Sequence, residues 1–227
     1  GFRRKGSRAA EIPRDLLLPV VADDARRLFP KESGNISMTY TPMIYTARLV
    51  RHTHPGSRVV FIGPCAAKKL EAMQPELRSD VDFVLTYEEL MGIFEAKEID
   101  FPALPESEDL RDGSSFGRGF AAAGGVAAAV EEILRRTKPD AEIEIQRADG
   151  LRECRKLLTL AKTGKLDGYL LEGMACPGGC IAGAGMIISA DTAKKKLDTH
   201  VLQADVQSCA DSPYCGFAGL LEEPAAP

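Results

Sequence analysis

The 227-residue sequence contains no tryptophan, and Phe and Tyr together make up only 6% of it. No aromatic platform for stacking nucleic-acid bases is therefore apparent. The formal charge of -4 and the lack of a basic stripe also argue against a nucleic-acid partner. The short cluster Arg3-Arg4-Lys5 with Arg8 reads as a solvated terminus. There are three histidines, and His52, His54 and His200 show no metal-ligand spacing. No apolar run reaches the roughly 18 residues needed to span a bilayer. The basic start is followed by more charge rather than a signal-peptide core, so a cytoplasmic location is expected. The chain opens on Gly1 without a methionine, as a piece of a longer protein would. Six cysteines are too sparse for a disulfide framework, which leaves free thiols or metal ligands.

What is present is ordinary for a globular protein, with 44% hydrophobic and 27% charged residues. Apolar periodicity through Phe29, with Pro19 near its start and Pro30 closing it, predicts an amphipathic helix. Pro42 begins a second helix that runs to about His52. Val59-Val60-Phe61-Ile62 reads as a strand buried on both faces. Phe83-Val84-Leu85 reads as another, followed by Thr86 and Glu89 as the capping box of a helix through Lys97. Further helices are expected over 126–136, 151–162 and 189–208, with strands over 141–146 and 167–171. Strands alternating with helices indicate an α/β class with mostly parallel sheets. The Pro-, Glu- and Gly-rich stretch 100–118 is the best boundary between a first lobe, 1–115, and a second, 116–227.

Sixteen residues, Leu170 to Gly185, organise the chemistry: LLEGMACPGGCIAGAG. Cys176 and Cys180 sit on glycine-rich backbone after an apolar run, where tight turns can bring N–H groups close to sulfur. The residues after Cys180 are expected to open a helix whose N-terminus favours thiolates. The same pattern also reads as a glycine-rich turn with two buried cysteines. Cys65 follows the Val59–Ile62 strand, matching the rule that α/β sites gather at strand carboxyl ends. Two cysteine loops, one per half, point to a site in the cleft between the lobes. Three cysteines on such loops suit an iron–sulfur cluster better than zinc, whose sites favour paired knuckles. Cys154 lies mid-helix and reads as a small buried apolar residue. Cys209 and Cys215 fall in the tail.

Four segments resemble the iron-only (FeFe) hydrogenase large-subunit domain: FIGPCAAKKLEA at 61–72, VDFVLTYEELMGIFEAKEIDF at 81–101, GRGFAAAGGVAAAV at 117–130 and LEGMACPGGCIAGAG at 171–185. They cover most of residues 17–200 in the family's order. The resemblance implies one hydrogenase-like domain, an iron-dependent oxidoreductase of the kind anaerobes use to interconvert dihydrogen, protons and electrons. It implies that Cys65, Cys176 and Cys180 bind metal in an H-cluster, a 4Fe-4S cubane joined to a two-iron subsite, with Cys180 as the bridging thiolate. By the same resemblance Lys68 hydrogen-bonds the two-iron subsite, Met174 packs beside it and Pro42 lines the pocket. An ordinary surface lysine and a core methionine are the plain readings of Lys68 and Met174. An electron-transfer protein or domain carrying iron–sulfur clusters is the implied partner.

The departures from the family bear on activity. The family's Cys-Cys-Pro motif falls eleven residues before the proline closing the first helix, and Pro19 stands eleven before Pro30. Leu17 and Leu18 therefore occupy the positions of a proton-relaying cysteine and the fourth cubane ligand. Leucine has no ionisable or metal-binding atom. Gly63 stands where catalytic members usually have methionine, Met43 where many have glutamine, and Ala184-Gly185-Met186 replaces Gly-Gly-Gln. Weak or absent dihydrogen turnover is expected, with a cofactor that is incomplete or absent. The same features fit a non-catalytic sensory or redox-binding iron–sulfur module, or a hydrogenase-like iron–sulfur assembly protein.

Overall fold

The computed structural model describes residues 15–17, 19–37, 39–105, 112–140 and 142–220. Its centre is strand β5 (Tyr169–Met174), in the middle of a three-stranded parallel sheet of order β1-β5-β4. β1 is Asp15–Leu17 and β4 is Glu144–Asp149. Leu17 pairs with Gly173 on one side, and Asp149 pairs with Met174 on the other. A strand hemmed in on both edges favours apolar residues, and Leu170, Leu171 and Met174 are all buried. A second sheet pairs β2 (Val60–Ile62) with β3 (Phe83–Leu85), also in parallel.

Eight α-helices are described: α1 Pro19–Leu28, α2 Pro42–Thr53, α3 Ala67–Ala72, α4 Tyr87–Ala96, α5 Ser115–Gly119, α6 Gly125–Thr137, α7 Leu151–Lys162 and α8 Ala190–Leu202. One core cluster joins Met43, Ile44 and Ala47 of α2 to Leu77 and Val81, with Phe61 and Val84 of the small sheet packed on it. Another joins Ala22 and Ala25 of α1 to Ile36 and to Leu158 of α7. Each fully buried Val, Leu, Ile or Met in such clusters is worth roughly 1.5–3 kcal/mol. β1 and α1 thus pack with strands and helices of the second half, and Arg155 of α7 donates two hydrogen bonds, 2.7 and 2.8 Å, to Asp24 of α1. No described helix is long and apolar enough to cross a membrane.

The α/β class and the parallel pairing agree with the sequence reading. Several details differ, beginning with the helix expected over 189–208, which ends at Leu202. The Val59–Ile62 run is not buried on both faces: Val60 and Ile62 are 45% and 42% exposed, and their neighbour Phe83 is 64% exposed. Only the Phe61 side is covered, by α2 and the 77–81 turn. The strand expected over 141–146 runs 144–149, in step with β5, and β5 itself continues past 171 to Met174. After Cys180 comes a three-residue 3₁₀ turn, Cys180–Ala182, rather than an α-helix, because the chain swings away at once to meet Pro64. Leu18 and residues 106–111 of the expected boundary lie outside the described residues, and for Leu17 only the backbone is described.

Candidate iron–sulfur site

Two strand-end loops build the site. The first carries Cys65 between β2 and α3; the second carries Cys176 and Cys180 directly after β5. Gly178 and Gly179 hold φ of +88° and +96°, conformations that cost a side chain dearly, so the CPGGC turn needs glycine there. The turn closes with the Gly179 N–H donating to the Cys176 carbonyl at 2.9 Å. At its tip, the Gly178 N–H donates to the Asp149 carboxylate at the end of β4.

The two loops interlock. Gly185 N–H donates to the Pro64 carbonyl at 3.0 Å, and a Cβ on Gly183 would collide with that same oxygen. The residue before Cys65 is thereby tied to the segment after Cys180. The Cys65 thiol lies within electrostatic reach of the other two. Burial, then the Cys65 thiol, pushes Cys176 up from the usual thiol range. Burial, then Cys65, Cys176 and Glu172, pushes Cys180 up, while Lys68 pulls it down. The structure therefore brings Cys65, Cys176, Cys180 and Lys68 into one neighbourhood.

Lys68 is no ordinary surface lysine. Its Nζ lies 2.6 Å from Glu71 Oε2, both side chains are largely buried, and the Thr41 hydroxyl donates to the other Glu71 oxygen at 2.6 Å. Lys69 turns outward to Glu89. Pro42 follows Thr41 as the first residue of α2 and is exposed. Met174 ends β5 and is buried; its carbonyl accepts from Gly150 N–H and from the Cys154 thiol. Met43 is part of the α2 core, and a Cβ at Gly63 would meet the Phe61 ring at 2.9 Å.

The remaining cysteines stand apart. Cys154 is buried behind β5, where burial pushes its thiol up to about 11. Cys209 lies 3.3 Å from the Ser114 hydroxyl, and Cys215 is exposed. Among the described residues, no three His, Cys, Asp or Glu side chains converge on a position for a single metal ion. A zinc would need all its thiolates at about 2.3 Å from one centre. A cubane gives each thiolate its own iron and so accepts wider spacing. Three thiols on glycine-rich loops are the donor type that an iron–sulfur cluster takes.

Sequence reasoning passed over the carboxylates that frame the site. Glu172 is almost wholly buried in β5, accepting from Gly124 N–H at 3.1 Å and Ala127 N–H at 3.3 Å at the start of α6. Burial pushes its carboxyl up, against those N–H groups and Arg147. The signal was available: Glu172 is a lone charge inside the apolar run Tyr169 to Met174.

The family model for the iron-only hydrogenase large subunit, C-terminal domain, matches residues 19–184. The NADP-reducing hydrogenase subunit HndD of Solidesulfovibrio fructosivorans is 31% identical, over 90% of this chain and 40% of that protein. The cytosolic iron-sulfur assembly component 3 of Pongo abelii is 27% identical, over 63% of this chain and 38% of that protein. The chain spans about 40% of the length of the curated relatives it matches. A solved variant of the FeFe-hydrogenase HydA1 from Chlamydomonas reinhardtii shares the fold, with a TM-score of 0.64 at 20% identity, covering 94% of this chain and 73% of that one.

Proposed function

The chain belongs to the family defined by the C-terminal domain of the iron-only hydrogenase large chain, and from that premise we propose that it holds an iron–sulfur cluster on Cys65, Cys176 and Cys180 and turns over dihydrogen weakly or not at all. The observation that carries the reading is the interlock of the two cysteine loops, where Gly185 N–H donates to the Pro64 carbonyl beside Cys65 and Gly183 packs on the same oxygen. When bound, the cluster would supply one-electron chemistry. The chain's own residues do the rest. The glycine turn fixes the Cys176 and Cys180 sulfurs, Lys68 holds a positive charge near Cys180, and Met174 keeps the end of β5 apolar. Leu17 pairs with Gly173, beside the strand that delivers Cys176, so its backbone is close to the site while its side chain has no proton to pass. An iron–sulfur electron-transfer protein or domain is the proposed partner, and the cytoplasm the proposed location.

Iron and acid-labile sulfide analysis with EPR on anaerobically prepared protein tests this. We expect about four irons per chain, as for a cubane alone. No retained iron would overturn the cluster, and robust hydrogen evolution after maturation in vitro would overturn the weak turnover. Cys65→Ala should lower iron retention; if it does not, the ligand assignment is wrong.

A second reading is an iron–sulfur assembly protein. It is supported by the likeness to the cytosolic iron-sulfur assembly component 3. Transfer of the cluster to an apo acceptor protein, without hydrogen evolution, would favour it. A sensory or redox-binding module would instead keep its cluster and change oxidation state reversibly.

A further inference from the structure

We propose that Glu172 is a positioning residue for the two-cysteine turn, acting through the backbone segment Ala121–Gly124. The inference rests on the site reading above, but its geometry stands without any metal. The CPGGC turn is stapled to that segment on one side. Ala123 N–H donates to the Gly178 carbonyl and Ile181 N–H to the Ala121 carbonyl, each at 3.1 Å. The approach is so close that a Cβ on Gly179 would lie 2.5 Å from Ala123 N and 2.8 Å from Ala121 O. The wall behind the sulfur loop is thus main chain, with no side chain to adjust if it drifts.

Glu172 fixes that wall from the other side. Its two oxygens take the Gly124 and Ala127 N–H groups, the first donors of α6, at 3.1 and 3.3 Å. Those N–H groups have no partner within the helix, so without an acceptor the buried Ala127 N–H and the part-buried Gly124 N–H would be unsatisfied. Arg147 Nε, 4.0 Å from the carboxylate, closes the outer side. Glu172 also lies on β5 itself, four residues before Cys176. One side chain therefore sets the strand that delivers the turn and the wall that receives it.

Differential thiol labelling of the metal-free protein, read by mass spectrometry, tests this. Cys154 serves as the internal fold reporter, because it is buried against the far side of β5. In Glu172→Ala we expect Cys176 and Cys180 to alkylate about tenfold faster through local opening, with Cys154 unchanged. Glu172→Gln keeps one acceptor oxygen and should fall between Ala and wild type. In reconstituted protein, iron retention should run in the reverse order, highest in wild type and lowest in Glu172→Ala. Wild-type labelling rates at Cys176 and Cys180 in both variants would overturn the proposal. So would acceleration of Cys154 in step with them, since that marks Glu172 as a general fold residue. Failure of the wild-type protein to bind iron would defeat the site reading alone and leave the labelling result to decide this one.

Discussion

Gly183 shows how little freedom a single position has here. A methyl group at 183 would press on the Pro64 carbonyl, a backbone atom that cannot step aside. Gly183→Ala should therefore lower stability by about 1–3 kcal/mol, the usual cost of overpacking, as read by urea denaturation. At Lys68 the issue is charge. Lys68→Met would leave Glu71 buried with only the Thr41 hydroxyl as partner, and a loss of about 3 kcal/mol is expected in the same measurement. By composition and periodicity alone, Lys68 and Lys69 are indistinguishable. Which one turns inward depends on Glu71, one helical turn on, and on Thr41, thirty residues before Glu71, a contact no local pattern records.

At the scale of the element, local signals were the readable ones. Thr86 caps α4 as its spacing to Glu89 foretold, with both halves of the capping box formed. Thr86→Ala should cost about 1 kcal/mol, checked by urea denaturation against wild type. α7 spans the residues its periodicity marked, and α1, α2 and α6 fall close to theirs. Strands were harder to read. A continuous apolar run tells a strand from a loop but does not count the faces that will be covered, and β2 is open on the Val60 and Ile62 side. The ends of β4 are set by register with β5, a pairing about 25 residues away that periodicity cannot supply. The three candidate cysteines were legible as thiols on glycine-rich loops after strands. Glu172 left a trace as a lone charge in an apolar run, but its partners, like that of Asp149, are backbone N–H groups brought to it only by the fold.

For the whole molecule, the tie between α1 and α7 gives a pH signature. The hydrogen bond from Arg155 holds the Asp24 carboxyl below its usual range, against the opposing effect of burial. Its folded value lies below its unfolded one of about 3.9, so the pair stabilises the protein above that pH and its contribution fades as pH falls through the lower value. The contribution is small, because Arg155 is half exposed. The stability difference between wild type and Asp24→Asn should therefore be present at pH 6 and shrink as pH falls below about 3.9. A difference that stayed constant with pH would refute it.

The pairing of β1 with β5 has a consequence for biosynthesis. A strand near the beginning of the described chain finds its neighbour only when residues 169–174 have left the ribosome. Contacts of such long range form late and slowly, because a large loop must close first. The nascent chain therefore exposes Cys65 well before the CPGGC turn can join it, and a chaperone or iron donor acting co-translationally would meet an unfinished cradle. On the proposed reading, the three-cysteine cradle is complete only after residues 169–185 have emerged.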